Sequence, residues 1–171
     1  GEIRVGDRVL ATIEDPRREP IRANHTATHM LNFALKKVLG AHVNQKGSLV
    51  APDRLRFDYA ATRPTTAAEI LEVERLVNEA ILRDAPVTKE VTSMDEARAK
   101  GAMMFFGEKY GERVRVVDVP GVSTELCGGC HVGRTGEIGA FKVLSDRGLA
   151  AGVRRIEAIT PSLGFLPERV K

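Results

Sequence analysis

The chain has 171 residues, enough for one compact domain or one domain with a short appendage, and 43% hydrophobic content supports a buried core rather than disorder. No apolar run approaches the roughly 18 residues of a membrane-spanning helix, and the charged opening stretch has no signal-peptide core. A net charge of +3 permits nucleic acid binding without demanding it, although Arg17, Arg18 and Arg22, then Lys36, Lys37 and Lys46, then Arg154 and Arg155, are clustered.

Residues 1–20 read as a short β segment, with Val5, Val9 and Ile13 among charged residues and a loop at Pro16 to Pro20. It is too small to bury a core and reads as the end of a neighbouring small β-barrel; with no initiator Met, it marks an internal boundary of a longer chain. A helix is predicted over 24–39, with Asn24 as N-cap, apolar residues Ala27, Met30, Leu31, Ala34, Leu35 and Val38 at helical spacing, and Gly40 as stop. Strands follow at 47–50 and 54–59. A second helix starts at Thr66, where Glu69 completes a capping box. Beyond a strand near 87–92, Ser93 and Glu96 form another capping box, for a short helix ending at Gly101. Strands at 114–119, 138–144 and 153–159 complete an α+β fold, an antiparallel-rich sheet packed on helices.

The chemistry lies in four histidines and two cysteines. His25 and His29 are one helical turn apart, so both project from one face, opposite the Met30, Ala34, Val38 stripe. They therefore point at solvent or at a polar site. Far downstream, Cys127, Cys130 and His131 share the glycine-rich turn Leu126-Cys127-Gly128-Gly129-Cys130-His131. Glycines let such a turn fold tightly enough for its side chains to converge. Zinc favours thiolate and imidazole in a tetrahedral set, and a His pair joined to a Cys/His turn supplies four such ligands. The bland alternative is an exposed His pair and an unrelated reduced Cys pair. Two cysteines three apart suit a reducing, cytoplasmic compartment rather than a disulfide framework. Thr26 stands where a zincin would carry its glutamate, and Gly128 and Gly129 make a poor helix opening for a redox pair. His42 is placed at the surface or in a substrate pocket.

The run Asn24-His25-Thr26-Ala27-Thr28-His29 resembles the zinc helix of alanyl-tRNA synthetase editing domains. Further blocks follow in the family's order: His42 through Val50, Leu55-Arg56-Phe57-Asp58, Gly101-Ala102-Met103-Met104, Phe106 through Gly111, Glu125 through Gly129, and Gly152-Val153-Arg154-Arg155-Ile156-Glu157-Ala158. Free-standing alanyl-tRNA deacylases share this core, and threonyl-tRNA synthetases carry a more distant relative. The resemblance implies an editing domain over 21–160, followed by a tail or linker at 161–171. It places the zinc ligands at His25, His29, Cys127 and His131. The position before the last His is usually Thr, and here Cys130 leaves room for a competing ligand. Gln45 falls where the family contacts the aminoacyl group.

The implied activity is hydrolysis of serine or glycine from the acceptor end of alanine-specific tRNA, with the rest of a synthetase in cis. A synthetic pocket sized for a methyl group cannot exclude glycine and rejects a small hydroxyl only weakly, so a second site must destroy the wrong ester. Thr26, Thr28, Gln45 and Ser48 are candidate walls of that site. Four protein ligands describe a closed structural zinc, whereas a catalytic zinc keeps a position open. The sequence leaves open a weak ligand, five-coordination, or zinc that positions substrate. Two other readings are a free-standing deacylase and a non-catalytic, zinc-stabilised RNA-binding module. No nucleotide-binding signature is visible, so ATP-dependent aminoacylation does not reside in these residues.

Overall fold

A computed structural model describes residues 2–104 and 111–161. Helix α1 (Asp15–Leu39) is followed by strands β1 (Gln45–Val50) and β2 (Leu55–Ala60) and helix α2 (Ala67–Leu82). Strand β3 (Thr88–Ser93), helix α3 (Met94–Ala99), and strands β4 (Arg113–Val119) and β5 (Ser123–Leu126) come next. A 3-10 turn at Thr135–Ile138 precedes strands β6 (Lys142–Ala150) and β7 (Val153–Ile159). The strands form two antiparallel sheets, one ordered β1-β2-β7-β6 and the other β3-β4-β5. This is the expected α+β architecture.

The start of α1 corrects the sequence reading. Residues 2–14 form no strand, and the stretch assigned to a proline loop is helix from Asp15 onward. Pro16 falls in the first turn, where backbone N–H groups have no helical partner in any case. Pro20 removes one bond to a carbonyl at the exposed helix start, so two prolines that look like a loop are tolerated. Asn24 is consequently no cap. Its Nδ2 donates to the Ala51 carbonyl (2.8 Å), and its Oδ1 accepts from Thr160 Oγ1 (2.8 Å). It thereby ties the helix to the β1–β2 turn and the end of β7.

Both predicted capping boxes are present: Thr66 and Ser93 each accept from the N–H three residues on, and Glu69 and Glu96 reach back. β7 falls where the alternation places it. β6 does not; it begins at Lys142, after a 3-10 turn closed by Gly139, and runs on to Ala150. Its polar Ser145, Asp146 and Arg147 are held by register with Glu157, Ile156 and Arg155 of β7, not by an apolar pattern. Gly139 has φ +81°, and a Cβ there would come within 2.8 Å of the Pro161 carbonyl.

The main core joins α1, α2 and the larger sheet through Met30, Leu31, Leu35, Phe57, Val77 and Ile156. β4 links it to a smaller cluster. Val117 and Val119 face the main core, and Val114 and Val116 face Ala97, Ala102 and Leu126, following the two-residue period of a strand. Residues 106–110 of the resemblance and nearly all of the expected tail, 162–171, lie outside the described residues. Among the described residues no helix is long and apolar enough to cross a membrane.

Candidate metal centre

From Ala23 to Leu35 the central helix is buried on nearly every side, its polar residues included. Its polar face therefore closes against a chemical site instead of water. His29 is 6% exposed and His25 half-buried, which settles which of the two polar surroundings they meet. Opposite them, the loop after β5 brings in Cys127 and His131. One ligand atom from each of His25, His29, Cys127 and His131 lies within 4.8 Å of every other, a group able to hold a metal ion. The expected convergence across about a hundred residues is present. Cys130 is not in this group, although it is three positions from Cys127.

The geometry admits a small tetrahedral ion. Cys127 Sγ lies 3.4 Å from His25 Nε2 and 3.3 Å from His131 Nε2. The S–N edge of a tetrahedron with ordinary Zn–S and Zn–N bonds is about 3.5 Å. One sulfur and three ring nitrogens suit zinc and exclude the all-oxygen preference of calcium or magnesium.

The rings are oriented from behind. His29 Nδ1 lies 2.6 Å from Glu125 Oε2, a carboxylate only 1% exposed, so its Nε2 is left for an ion. His131 Nδ1 lies 3.1 Å from Thr26 Oγ1. That hydroxyl spends its own hydrogen on the Arg22 carbonyl (3.0 Å) and accepts from the Val132 N–H (3.3 Å). His131 Nδ1 must therefore be the donor, which leaves its Nε2 bare toward the sulfur. Such outer partners fix tautomer and ring angle at metal sites. Thr26, fully buried and absent from the cavity wall, is thus placed behind His131 and not among the substrate walls where sequence reasoning put it.

Cys127, His29 and His131 all depart from their ordinary values. Burial would push the Cys127 thiol up, but the imidazoles of His131, His25 and His29 around the sulfur outweigh it and bring the thiol down to about 3. Burial would pull His29 down, yet its bonds to Cys127 and Glu125 lift it to about 9. His131 is lowered to about 4, by burial first and by the neighbouring His25 and His29 charges, against the opposing pull of Cys127.

The loop is held closely. Arg115 Nη1 donates to the carbonyls of Cys127 (2.8 Å) and Gly129 (2.6 Å), and Lys89 Nζ donates to that of Val132 (2.7 Å). Gly129 is required by approach, since any Cβ there would overlap the His25 ring. Glu125, Arg115 and Lys89 were not singled out from sequence. Glu125 offered one signal, its place two residues before Cys127 on an extended segment, which turns it toward the buried side.

A cavity of about 860 Å³ opens in front of the centre, in the size range of small-ligand sites. His25, His29 and Cys127 form its floor, Thr28 continues along α1, and Gln45 and Ser48 of β1 face them. Gln45 Nε2 donates to Ser48 Oγ (3.2 Å), and Thr28 Oγ1 donates to the Asn24 carbonyl (2.8 Å). Lys36 of α1 and Lys46 of β1 add positive charge to the cavity lining. His42 is exposed and does not line the cavity.

Residues 114–157 match the family described as threonyl and alanyl tRNA synthetase second additional domain. The chain is 56% identical over 160 residues to the alanine--tRNA ligase of a serogroup C strain of Neisseria meningitidis, covering 94% of this chain and 18% of that protein. The alanine--tRNA ligase of Thermus thermophilus is 58% identical over 166 residues, covering 94% and 19%. That of Thermotoga petrophila is 56% identical over 160 residues, again covering 94% and 18%. The chain thus spans under a fifth of the length of the curated relatives it matches. The chain is thus homologous to one segment of alanine--tRNA ligases, and within it residues 114–157 carry the pattern of the threonyl and alanyl tRNA synthetase second additional domain.

Proposed function

We propose that this segment is a zinc-dependent editing deacylase that hydrolyses the ester joining serine or glycine to alanine-specific tRNA. The observation that carries the reading is the convergence of His25, His29, Cys127 and His131 on the floor of an open cavity. Likeness to alanine--tRNA ligases supplies the substrate class. Zinc held by these four side chains would supply Lewis acidity at the ester carbonyl. Glu125 and Thr26 hold two of the rings in register, and Arg115 fixes the loop that carries the thiolate. Thr28, Gln45 and Ser48 stand where they can meet a short polar side chain on the bound amino acid. The lysines on the cavity wall suit the phosphates of an acceptor end. The remainder of a synthetase, joined in cis, would carry ATP-dependent charging.

A closed four-ligand set also suits a zinc-stabilised RNA-binding module with no catalysis. Incubation of the zinc-loaded chain with seryl- and alanyl-tRNA(Ala), with metal analysis on the same sample, separates the two. The deacylase releases serine and spares alanine, and Cys127→Ala loses both metal and release by at least about 100-fold. Tight binding of the seryl-tRNA without release of serine would replace the deacylase with the module.

A further inference from the structure

Two buried oxygen acceptors beside the centre have no hydrogen-bond partner among the described residues: Asn32 Oδ1 and Glu125 Oε1. Asn32 is 3% exposed and Glu125 1%, and both line the cavity. An unpaired buried acceptor is costly, more so on a charged group, so both call for a donor supplied from outside. They reach the surroundings of His29 from two different elements. Glu125 reaches it from β5 through its other oxygen, and Asn32 lies one helical turn further along α1, on the face shared by Thr28 and His29.

The number and charge of the acceptors select the donor. A hydroxyl has one hydrogen and satisfies one acceptor, whereas an ammonium has three and carries the charge that a carboxylate prefers. Lys36, one turn beyond Asn32 on α1, does not serve them, because its Nζ is turned to the Met103 sulfur at 3.3 Å, a weak acceptor. We infer that Asn32, together with the free oxygen of Glu125, binds the α-ammonium of the amino acid whose ester this site cleaves. The inference rests on the deacylase reading and deepens it. Serine, glycine and alanine share the ammonium, so Asn32 does not discriminate among them. It fixes their common end, so that only the side chain differs in what it meets at Thr28, Gln45 and Ser48.

The test is calorimetric binding of two non-hydrolysable ligands to the zinc-loaded chain. One is adenosine carrying a 3′-amide of serine, and the other is the same compound without the α-amino group. The wild type is expected to prefer the first. Asn32→Leu should weaken the amino ligand about tenfold and leave the other unchanged, with zinc content intact. Asn32→Asp, which keeps an oxygen acceptor, should retain the preference, and it decides the matter alone if the leucine variant does not fold. Equal loss for both ligands, no loss for either, or a preference lost in Asn32→Asp would overturn the inference. A wild-type chain that hydrolyses seryl-tRNA yet shows no preference removes the ammonium site and leaves the deacylase standing. A chain that neither hydrolyses nor binds removes both.

Discussion

The two halves of the centre are held by different means. His25 and His29 sit on a helix packed on nearly all sides, so their positions follow from burial of Ala27, Met30, Leu31, Ala34 and Leu35. Cys127 and His131 sit on a glycine-rich loop between buried Leu126 and Val132, held by hydrogen bonds from Arg115 and Lys89 and by the Val132 N–H donating to Thr26. A core supplies rigidity through many weak contacts, so no single one is decisive. A hydrogen-bonded loop depends on a few named groups. The loop half is therefore where single substitutions should reach the metal.

The largest effects should come from the groups that link the halves. Thr26→Val keeps the shape of the side chain but removes the acceptor of His131, and Glu125→Gln weakens the hold on His29. Each should lower metal affinity about 10–100-fold, read by competition with a chelator, while the helix content stays constant. Unchanged affinity in Thr26→Val would mean that the loop positions His131 without help from α1.

Next in size, Gly129→Ala forces a methyl into the His25 ring and should cost about 1–3 kcal/mol of stability, with weaker metal retention. Gly128→Ala, with no atom within 4 Å of the added carbon, is the matched control and should be near neutral. Equal behaviour of the two would show that the loop yields easily and that its hydrogen bonds do not fix it.

The smallest change should come from a pair in neither half. Asp58 on β2 accepts from Arg155 on β7 (2.7 and 2.9 Å), and those bonds hold its carboxyl below the ordinary carboxylate range. A depressed folded value stabilises the protein above about pH 3.9, and that stability is lost as pH falls through the depressed value. Asp58→Asn should remove this part of the acid unfolding limb, cost about 1 kcal/mol near neutrality, and leave metal affinity untouched, as chelator competition at two pH values would show. A metal-affinity change of the size seen for Thr26→Val would erase the distinction between halves and scaffold.

Much of this was legible in the sequence because short-range rules wrote it. The capping boxes at Thr66 and Ser93 obey local hydrogen bonding, and β7 obeys alternation. The candidate cluster was legible in part: spacing picked out the His pair and the Cys/His turn, and the family resemblance chose Cys127 over Cys130. What was hidden depended on distant neighbours. Pro16 and Pro20 look like loop until the buried helix they begin is known, and Asn24 looks like a cap until Thr160 and Ala51 are seen beside it. β5 has four residues, too short for a period to declare itself. Thr26 lies on the line of the histidines in sequence, yet its hydroxyl turns away from the cavity, because a carbonyl one turn back and a ring from the loop claim it.

The separation of the ligands along the chain has a kinetic consequence. α1 can form early from local contacts, but the loop carrying Cys127 and His131 comes about a hundred residues later, directly after β5 of the smaller sheet. Non-local closures of this kind occur late in folding, because the chain entropy they cost is recovered only when the rest is in place. Uptake of the ion in a refolding experiment should therefore trail the recovery of helical signal. The rate of metal capture would then serve as a clock for the last step of assembly.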